Sequence, residues 1–320
     1  MIYFTLWTEK IEGKGEDAPP TLLLGDDHTG VLGVYDGLGG SGSKVYWIEN
    51  EDNESREYSG AYLAARLAKA ITEDFYWQAD LIENFHQLLK NELANDFQDY
   101  FQSIDNQPSK LKSKLIRALP TTLALLFFEE NPLDKFVNVW ACWAGDSRCY
   151  ILQKDGLRQI SMDDLTGQPD AWENLQLDAT ISNCLNAGED FTLHQKAFSF
   201  SEPSILITAT DGCFGYLPSP MHFEYLLLET LSQASVDTNN WQNSLQTKIS
   251  AISGDDASLS LWAWGFEDLN EWNNYLQERK KIVYQTYICF FENADNQPIN
   301  TMRDLWEEYK LNYYLDDLTD

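Results

Sequence analysis

Short apolar runs bounded by turn residues mark much of the chain as strand. Residues 2–7 form one such run, and "TLLLG" and "VLGVYD" form two more, joined by "DDHTG" into an expected hairpin. The period then changes. From about 57 to 77, Leu63, Leu67, Ala70, Ile71 and Phe75 recur at helical spacing. From about 80 to 102, Leu81, Phe85, Leu88, Leu89, Leu93 and Phe97 do the same. Two such helices in succession predict an antiparallel pair laid over a sheet.

Strands return with "TTLALLFFE", "FVNVWACWA" and "RCYILQ", rich in β-branched and aromatic residues, and "KDG" turns the chain into "LRQI". Residues 165–190 show no strong period and read as loop with one short helix. "SILITAT" is a buried strand, helices follow near 221–235 and 239–252, and "ASLSLWAWG" closes the strand set. After Gly265 the texture shifts. "EDLNEWNNYLQERKKIVYQTYICFFENA" and "TMRDLWEEYKLNYYLDD" are helical, aromatic and charged, with a break at "DNQP". The expected division is residues 1–265 as one domain and 266–320 as a C-terminal helical extension. Packing of the extension on the domain is favoured over a free interaction element.

Charge removes one class of partner. The chain has 51 acids against 22 bases, a net charge of -29, whereas a nucleic-acid partner needs a basic face. Most of this charge reads as a solvated acidic surface. The five cysteines, Cys142, Cys149, Cys184, Cys213 and Cys289, are scattered with no CxxC pair, so buried reduced thiols are expected. The opening "MIYFTLWTEK" has no basic leader or cleavage site, and no apolar run reaches membrane-spanning length. A soluble cytoplasmic protein with no membrane contact is the expectation.

Candidate chemistry starts at "VLGVYDGLGGSGS", where Gly37-x-Gly39-x-x-Gly42 follows an apolar run. A dinucleotide loop of that form opens directly into a helix, yet "SKVYWIENEDNES" comes next, polar and without a helical stripe. The carboxylate of Asp36 would also repel a pyrophosphate. The loop therefore reads as a place for Asp36 to hold a cation. Other acids share its setting, at a strand end beside glycine: Asp211 before Gly212, Asp255 and Asp256 after Gly254, and Asp146 in "WAGDSR". An Asp-Gly pair alone is more often a plain turn, as in "KDG" at 154–156. Acids converging on one rim need divalent cations to offset their repulsion, and hard ions such as Mg²⁺ and Mn²⁺ take oxygen ligands.

The ordered blocks "GVYDGLGG", "LPTTLALL", "WAGDSRCYIL", "ITATDGCFGYL" and "GDDASLSLW" resemble the metal-dependent serine/threonine protein phosphatases of type 2C, over about residues 1–265. The resemblance implies an α+β fold: a central β-sandwich of two antiparallel sheets flanked by helix pairs, with a two-metal site at one end. It implies that Asp36 bridges two Mg²⁺ or Mn²⁺ ions, that the Gly37 carbonyl binds one, and that Asp211 and Asp255 serve the other. Asp256 stands where the family has Asn or Asp. Glu16 in "GKGEDAP" resembles the glutamate of a Glu-Asp pair, and Asp146 a residue tied to a third, weaker metal in some relatives. The implied reaction is attack on a phosphoserine or phosphothreonine ester by a water bridging the metals, which makes Asp36 and Asp211 the catalytic pair and a phosphorylated protein the substrate.

Three positions depart from the pattern. Glu12 stands where the family has a phosphate-binding arginine, with Lys10 and Lys14 beside it as substitute cations that lack the bidentate fork. Leu38 occupies a histidine position of some relatives. Asp163-Asp164 replaces an Asp-His pair. His28, His86, His194 and His222 form no ligand spacing, Ser147 and Ser258 have no triad partner, and Trp140, Trp143, Trp262 and Trp264 are expected to pack on strands. An enzyme of the phosphatase class is the leading reading. The alternative is a catalytically weak or silent phosphatase-like binding module, with a protein partner on the extension.

Overall fold

The computed structural model describes residues 1–49, 55–78, 84–104, 117–167, 170–176, 179–234, 237–292 and 299–315. Strands β1 (Ile2–Thr8), β2 (Thr21–Leu24), β3 (Thr29–Val34), β4 (Val45–Glu49) and β5 (Ser55–Ser59) lead into helices α1 (Gly60–Gln78) and α2 (Phe85–Ile104). Next come β6 (Ala118–Thr121), β7 (Leu123–Asn131), β8 (Phe136–Ala144), β9 (Arg148–Gln153) and β10 (Gly156–Gln159). The short α3 (Glu173–Gln176) precedes β11 (Leu185–Ala187), β12 (His194–Phe200) and β13 (Ser204–Ala209). Helices α4 (Pro220–Gln233) and α5 (Thr238–Ile252) then lead to β14 (Ala257–Trp264), followed by α6 (Leu269–Val283), a π-helical turn at 284–288, α7 (Cys289–Glu292) and α8 (Ile299–Lys310).

Two five-stranded antiparallel sheets form the centre, in the orders β1-β14-β13-β9-β10 and β12-β8-β7-β3-β2. Strict alternation explains why their strands read as unbroken apolar runs. In β7, Leu123, Leu125 and Phe127 face the α1/α2 layer, while Ala124, Leu126 and Phe128 face the opposite sheet. Both faces are covered over Leu123–Phe128, so every position there is apolar. Trp262 stacks on Phe128 between the sheets with ring centroids 4.0 Å apart, which makes it a packing residue. The other sheet packs Tyr150, Ile205, Ile207, Leu259 and Leu261 against α4, α5 and α6.

Several elements lie outside the expectations. The helix expected from about 57 begins at Gly60, because residues 55–59 pair with β4 as a small hairpin. Ala70 and Leu88 are exposed, and the buried stripe of α1 runs instead through Ala64, Ala65 and Ala68. The expected start of α2 at Leu81 lies outside the described residues, as does the "DNQP" break. In the aperiodic stretch, β11 pairs with β6 alongside the short α3. Strand β12 was not read from the sequence; within Lys196-Ala197-Phe198-Ser199-Phe200 the phenylalanines alone are buried.

The extension is packed. Trp306, Tyr309 and Tyr313 are buried in the core beneath α4 and α6, Trp306 Nε1 donates to Asp170 Oδ1 at 3.0 Å, and Leu315 N donates to Gln159 O on the β10 edge at 3.0 Å. Buried Glu224 receives Arg279 Nε at 2.6 Å and Nη2 at 2.8 Å, and the Tyr309 hydroxyl at 2.5 Å. Among the described residues no helix is long and apolar enough to cross a membrane.

Candidate active site

Strand register brings the acids to one edge of the sandwich. Val34 pairs with Ala124, and Leu123 with Ala144, so β3 and β8 end level with each other on either side of β7, putting Asp36 and Asp146 at that edge. In the other sheet Ala209 pairs with both Arg148 and Leu259, so Asp211 leaves β13 where β9 and β14 begin, next to Asp255. Asp36, Gly37, Asp146, Asp211 and Asp255 line one cleft of about 490 Å³, together with residues 38–41, Arg117 and residues 179–181.

The glycine loop is held against the β6–β7 segment. Thr122 N donates to Asp36 O at 2.9 Å, Leu38 N to Pro120 O at 3.2 Å, and Gly37 bridges to Thr121. Glycine is needed there because a Cβ at Gly37 would sit 2.7 Å from the carbonyl oxygens of Glu16 and Ala61, and one at Gly39 only 1.8 Å from Glu16 Oε2. That contact also places Glu16, whose carboxylate lies over the loop and accepts from the Ser59 hydroxyl. Asp256 turns to the N-terminal loop, accepting from Glu16 N at 2.6 Å and Lys10 N at 2.8 Å.

Burial and crowding disfavour ionisation across the group. Asp36 is pushed well up by burial and then by the charges of Asp17, Asp211, Asp146 and Asp255. Asp211 is pushed up to about 6 by burial and Asp255, and Asp146 is raised by burial and Asp211. Asp17 is pushed up to about 8 by burial and Asp211, despite accepting from Thr210 Oγ1 at 3.0 Å. Glu16 is raised chiefly by burial, with Asp256 and Asp255 adding to it against the Ser59 bond. A set of acids that resist losing their protons is a set short of positive charge.

Hard divalent cations fit this donor set. All the donors are oxygens, and Asp146 Oδ1 is buried with no hydrogen-bond partner among the described residues. Among those residues no group of three or more His, Cys, Asp or Glu side chains is already gathered to hold one ion. Bare carboxylates repel each other, and sites that share a carboxylate and fill with water need few side chains per ion.

Several solved structures share the architecture. Serine/threonine phosphatase Stp1 from Staphylococcus aureus aligns at TM-score 0.59 and 16% identity, over 83% of this chain and 96% of its own. The Mycobacterium tuberculosis phosphatase PstP/Ppp aligns at 0.56 and 15%, over 81% and 96%. The PstP catalytic domain in complex with two manganese ions aligns at 0.54 and 15%, over 82% and 97%. This chain has the type 2C phosphatase fold. No family model and no curated protein sequence matches the chain, so the type 2C likeness is carried by three-dimensional structure.

Against the type 2C pattern, the departures fall into place. Lys10, Glu12 and Lys14 are exposed on the loop after β1, and none lines the cleft. Asp163 and Asp164 serve as struts. Asp163 holds Arg148, while Asp164 accepts from Gly145 N at 3.0 Å and Asn183 Nδ2 at 2.6 Å, and bonds His194 Nε2 at 2.9 Å. Ser147 Oγ bonds Thr122 Oγ1 at 2.7 Å and Ser258 Oγ donates to Ala18 O at 3.2 Å, so neither is poised as a nucleophile. Two residues were missed. Asp17 is the second acid of the Glu-Asp pair and could have been taken with Glu16; Arg117 follows no motif.

Proposed function

We propose that this protein is a metal-dependent phosphoprotein phosphatase, cytoplasmic, acting on phosphoserine and phosphothreonine. The observation that carries the reading is the convergence of Asp36, Gly37, Asp146, Asp211 and Asp255 on one cleft, in a fold shared with serine/threonine phosphatases, one of them solved with two manganese ions. Two Mg²⁺ or Mn²⁺ ions, when bound, supply an acidified water and positive charge for in-line displacement at phosphorus. Asp36, Gly37, Asp211 and Asp255 are the residues we assign to the ions, with Asp36 the one that both would share. Glu16 lies over the loop as an outer acceptor, and Asp146 is the donor for a third ion. The backbone bonds from Thr122 and to Pro120 fix the Asp36–Leu38 segment, so these oxygens do not have to be ordered when substrate arrives. We assign residues 266–320 to a cap outside the catalytic unit.

The test is hydrolysis of an aryl phosphate and a phosphothreonine peptide as Mn²⁺ is titrated from zero. Turnover should need the metal and fall at least about 100-fold in Asp211→Asn, as loss of a principal electrostatic group does. Equal turnover with and without Asp211 would reject the reading. A second reading, a metal-binding module without turnover, is favoured by one observation: the position of the family's phosphate-gripping arginine holds Glu12, which is exposed and outside the cleft. Calorimetric Mn²⁺ binding with no hydrolysis of either substrate would select it.

A further inference from the structure

The cleft has a cation after all, supplied from a different part of the chain. Arg117 lines it with the four aspartates. Its place follows from backbone pairing. Arg117 N donates to Ser41 O at 3.1 Å, continuing the antiparallel contact in which Leu38 meets Pro120 and Asp36 meets Thr122. Counting out from the Asp36–Thr122 pair, the far end of the glycine loop must therefore lie beside Arg117. Leu119, between them, has φ of 53°, a conformation a branched aliphatic residue rarely adopts. The surrounding structure over-determines this irregular backbone, as it does where a side chain must be aimed.

The guanidinium is committed to no anion among the described residues. Nη1 donates to Cys184 Sγ at 2.7 Å and Nη2 to Ile181 O at 3.4 Å. A thiol and a carbonyl leave its charge uncompensated, and three of its five N–H groups have no assigned acceptor. The other arginines nearby are spent differently. Arg148 is bound at Nε and Nη2 by Asp163, and Arg66 donates to the Gly15 and Glu16 carbonyls from behind the loop.

We propose that Arg117 grips the phosphoryl group of the substrate in this cleft, taking the role left vacant at Glu12. A planar guanidinium with spare donors matches two oxygens of a phosphate dianion. The aspartates hold cations and Arg117 adds a further positive charge, so the anionic phosphoryl group is gripped between positive centres. The Cys184 and Ile181 contacts keep the fork in place before substrate arrives. This rests on the phosphatase reading only for the identity of the ester; the anion site itself does not need turnover.

The experiment uses the full chain loaded with Mn²⁺ and inorganic phosphate as probe, with binding read by calorimetry beside hydrolysis of an aryl phosphate. Arg117→Met should weaken phosphate binding and raise KM by about 10-fold or more, the scale of one charge-assisted bidentate contact, with Mn²⁺ affinity unchanged. Phosphate affinity unchanged in that variant, or no phosphate binding by the parent protein, overturns the proposal. Should Arg117→Met not fold, Arg117→Lys decides: it keeps charge but loses the fork, so phosphate affinity must fall, and an unaltered value overturns the assignment. Phosphate bound through Arg117 without hydrolysis would overturn the phosphatase reading and keep this one. Metal-dependent hydrolysis with KM indifferent to Arg117 would do the reverse.

Discussion

Arg148 and Asp163 form a two-pronged ion pair that lines, with Asp146 and Asp211, a pocket next to the acidic cleft. Nε meets Oδ1 at 2.9 Å and Nη2 meets Oδ2 at 2.7 Å, with both side chains 2% exposed. The guanidinium also lies over the Phe214 ring, 4.2 Å from its centroid. Asn174 Nδ2 and Gln159 Nε2 donate to the same carboxylate, at 2.8 and 3.0 Å. The Asp163 position that looked like a degenerate site motif is thus a strut that sets where β9 begins.

Breaking that pair strands a buried charge. Asp163→Ala should cost about 3–5 kcal/mol, the scale for removing one partner of a buried ion pair. Urea denaturation measures it. A loss below about 1 kcal/mol would mean that water reaches Arg148 and the strut is not needed.

The acid cluster sets a pH dependence whose sign is the reverse of ordinary acid denaturation. Asp17 and Asp211 have folded values of about 8 and about 6, above the ordinary 3.8. Between those limits the folded chain binds more protons than the unfolded one, so the cluster's contribution is full below about pH 4 and declines as pH rises towards 8. Cations should offset the ionised form, so Mn²⁺ should raise the melting temperature more at pH 8 than at pH 5.5, and EDTA should remove the gain. Stabilisation reaches about 2.7 kcal/mol at 100 times the dissociation constant. Equal shifts at both pH values would count against metal binding by these carboxylates.

His222 runs the other way. It sits in the first turn of α4, its Nδ1 2.8 Å from Ser219 Oγ, and burial holds its pKa down to about 4. The unfolded chain binds the extra proton between pH 6.5 and 4, so this contribution is complete above 6.5 and lost as pH falls through that window, at no more than about 1.4 kcal/mol per pH unit. Stability of His222→Gln against pH should be flatter than the parent's in that window. Parallel curves would remove His222 as the cause.

Trp306 is the anchor of the extension, 1% exposed and hydrogen-bonded to Asp170, which also receives Lys310 Nζ at 2.5 Å. Trp306→Ala should destabilise the whole protein by about 3–5 kcal/mol in one cooperative transition. Separate melting of the tail, with the rest unchanged, would return the extension to the role of an interaction element.

Central strands and their order were legible because both faces of β7, β9, β13 and β14 are covered, and burial writes itself into composition as continuous apolar runs. The strand-end aspartates were legible for a related reason: an acid beside glycine at the end of such a run has no packing role to explain it. Four peripheral strands were not. Among the described residues β4 and β5 pair only with each other, β11 is three residues long, and β12 alternates weakly, so little buried area constrains their residue types.

By itself, local pattern along the sequence determined the strand and helix runs and the strand-end setting of Asp36, Asp146, Asp211 and Asp255, while the sandwich followed only from the resemblance of the ordered blocks to the type 2C phosphatases. Only the tertiary structure decided that the N-terminal loop carrying Lys10, Glu12 and Lys14 stays out of the cleft, that Asp163 is a strut, and that Arg117 joins the aspartates. The last of these depends on register across 76 residues, between Ser41 and Arg117. Contacts of that kind are formed by the backbone hydrogen bonds and close packing of the folded chain, and leave no periodic trace in the residues that make them.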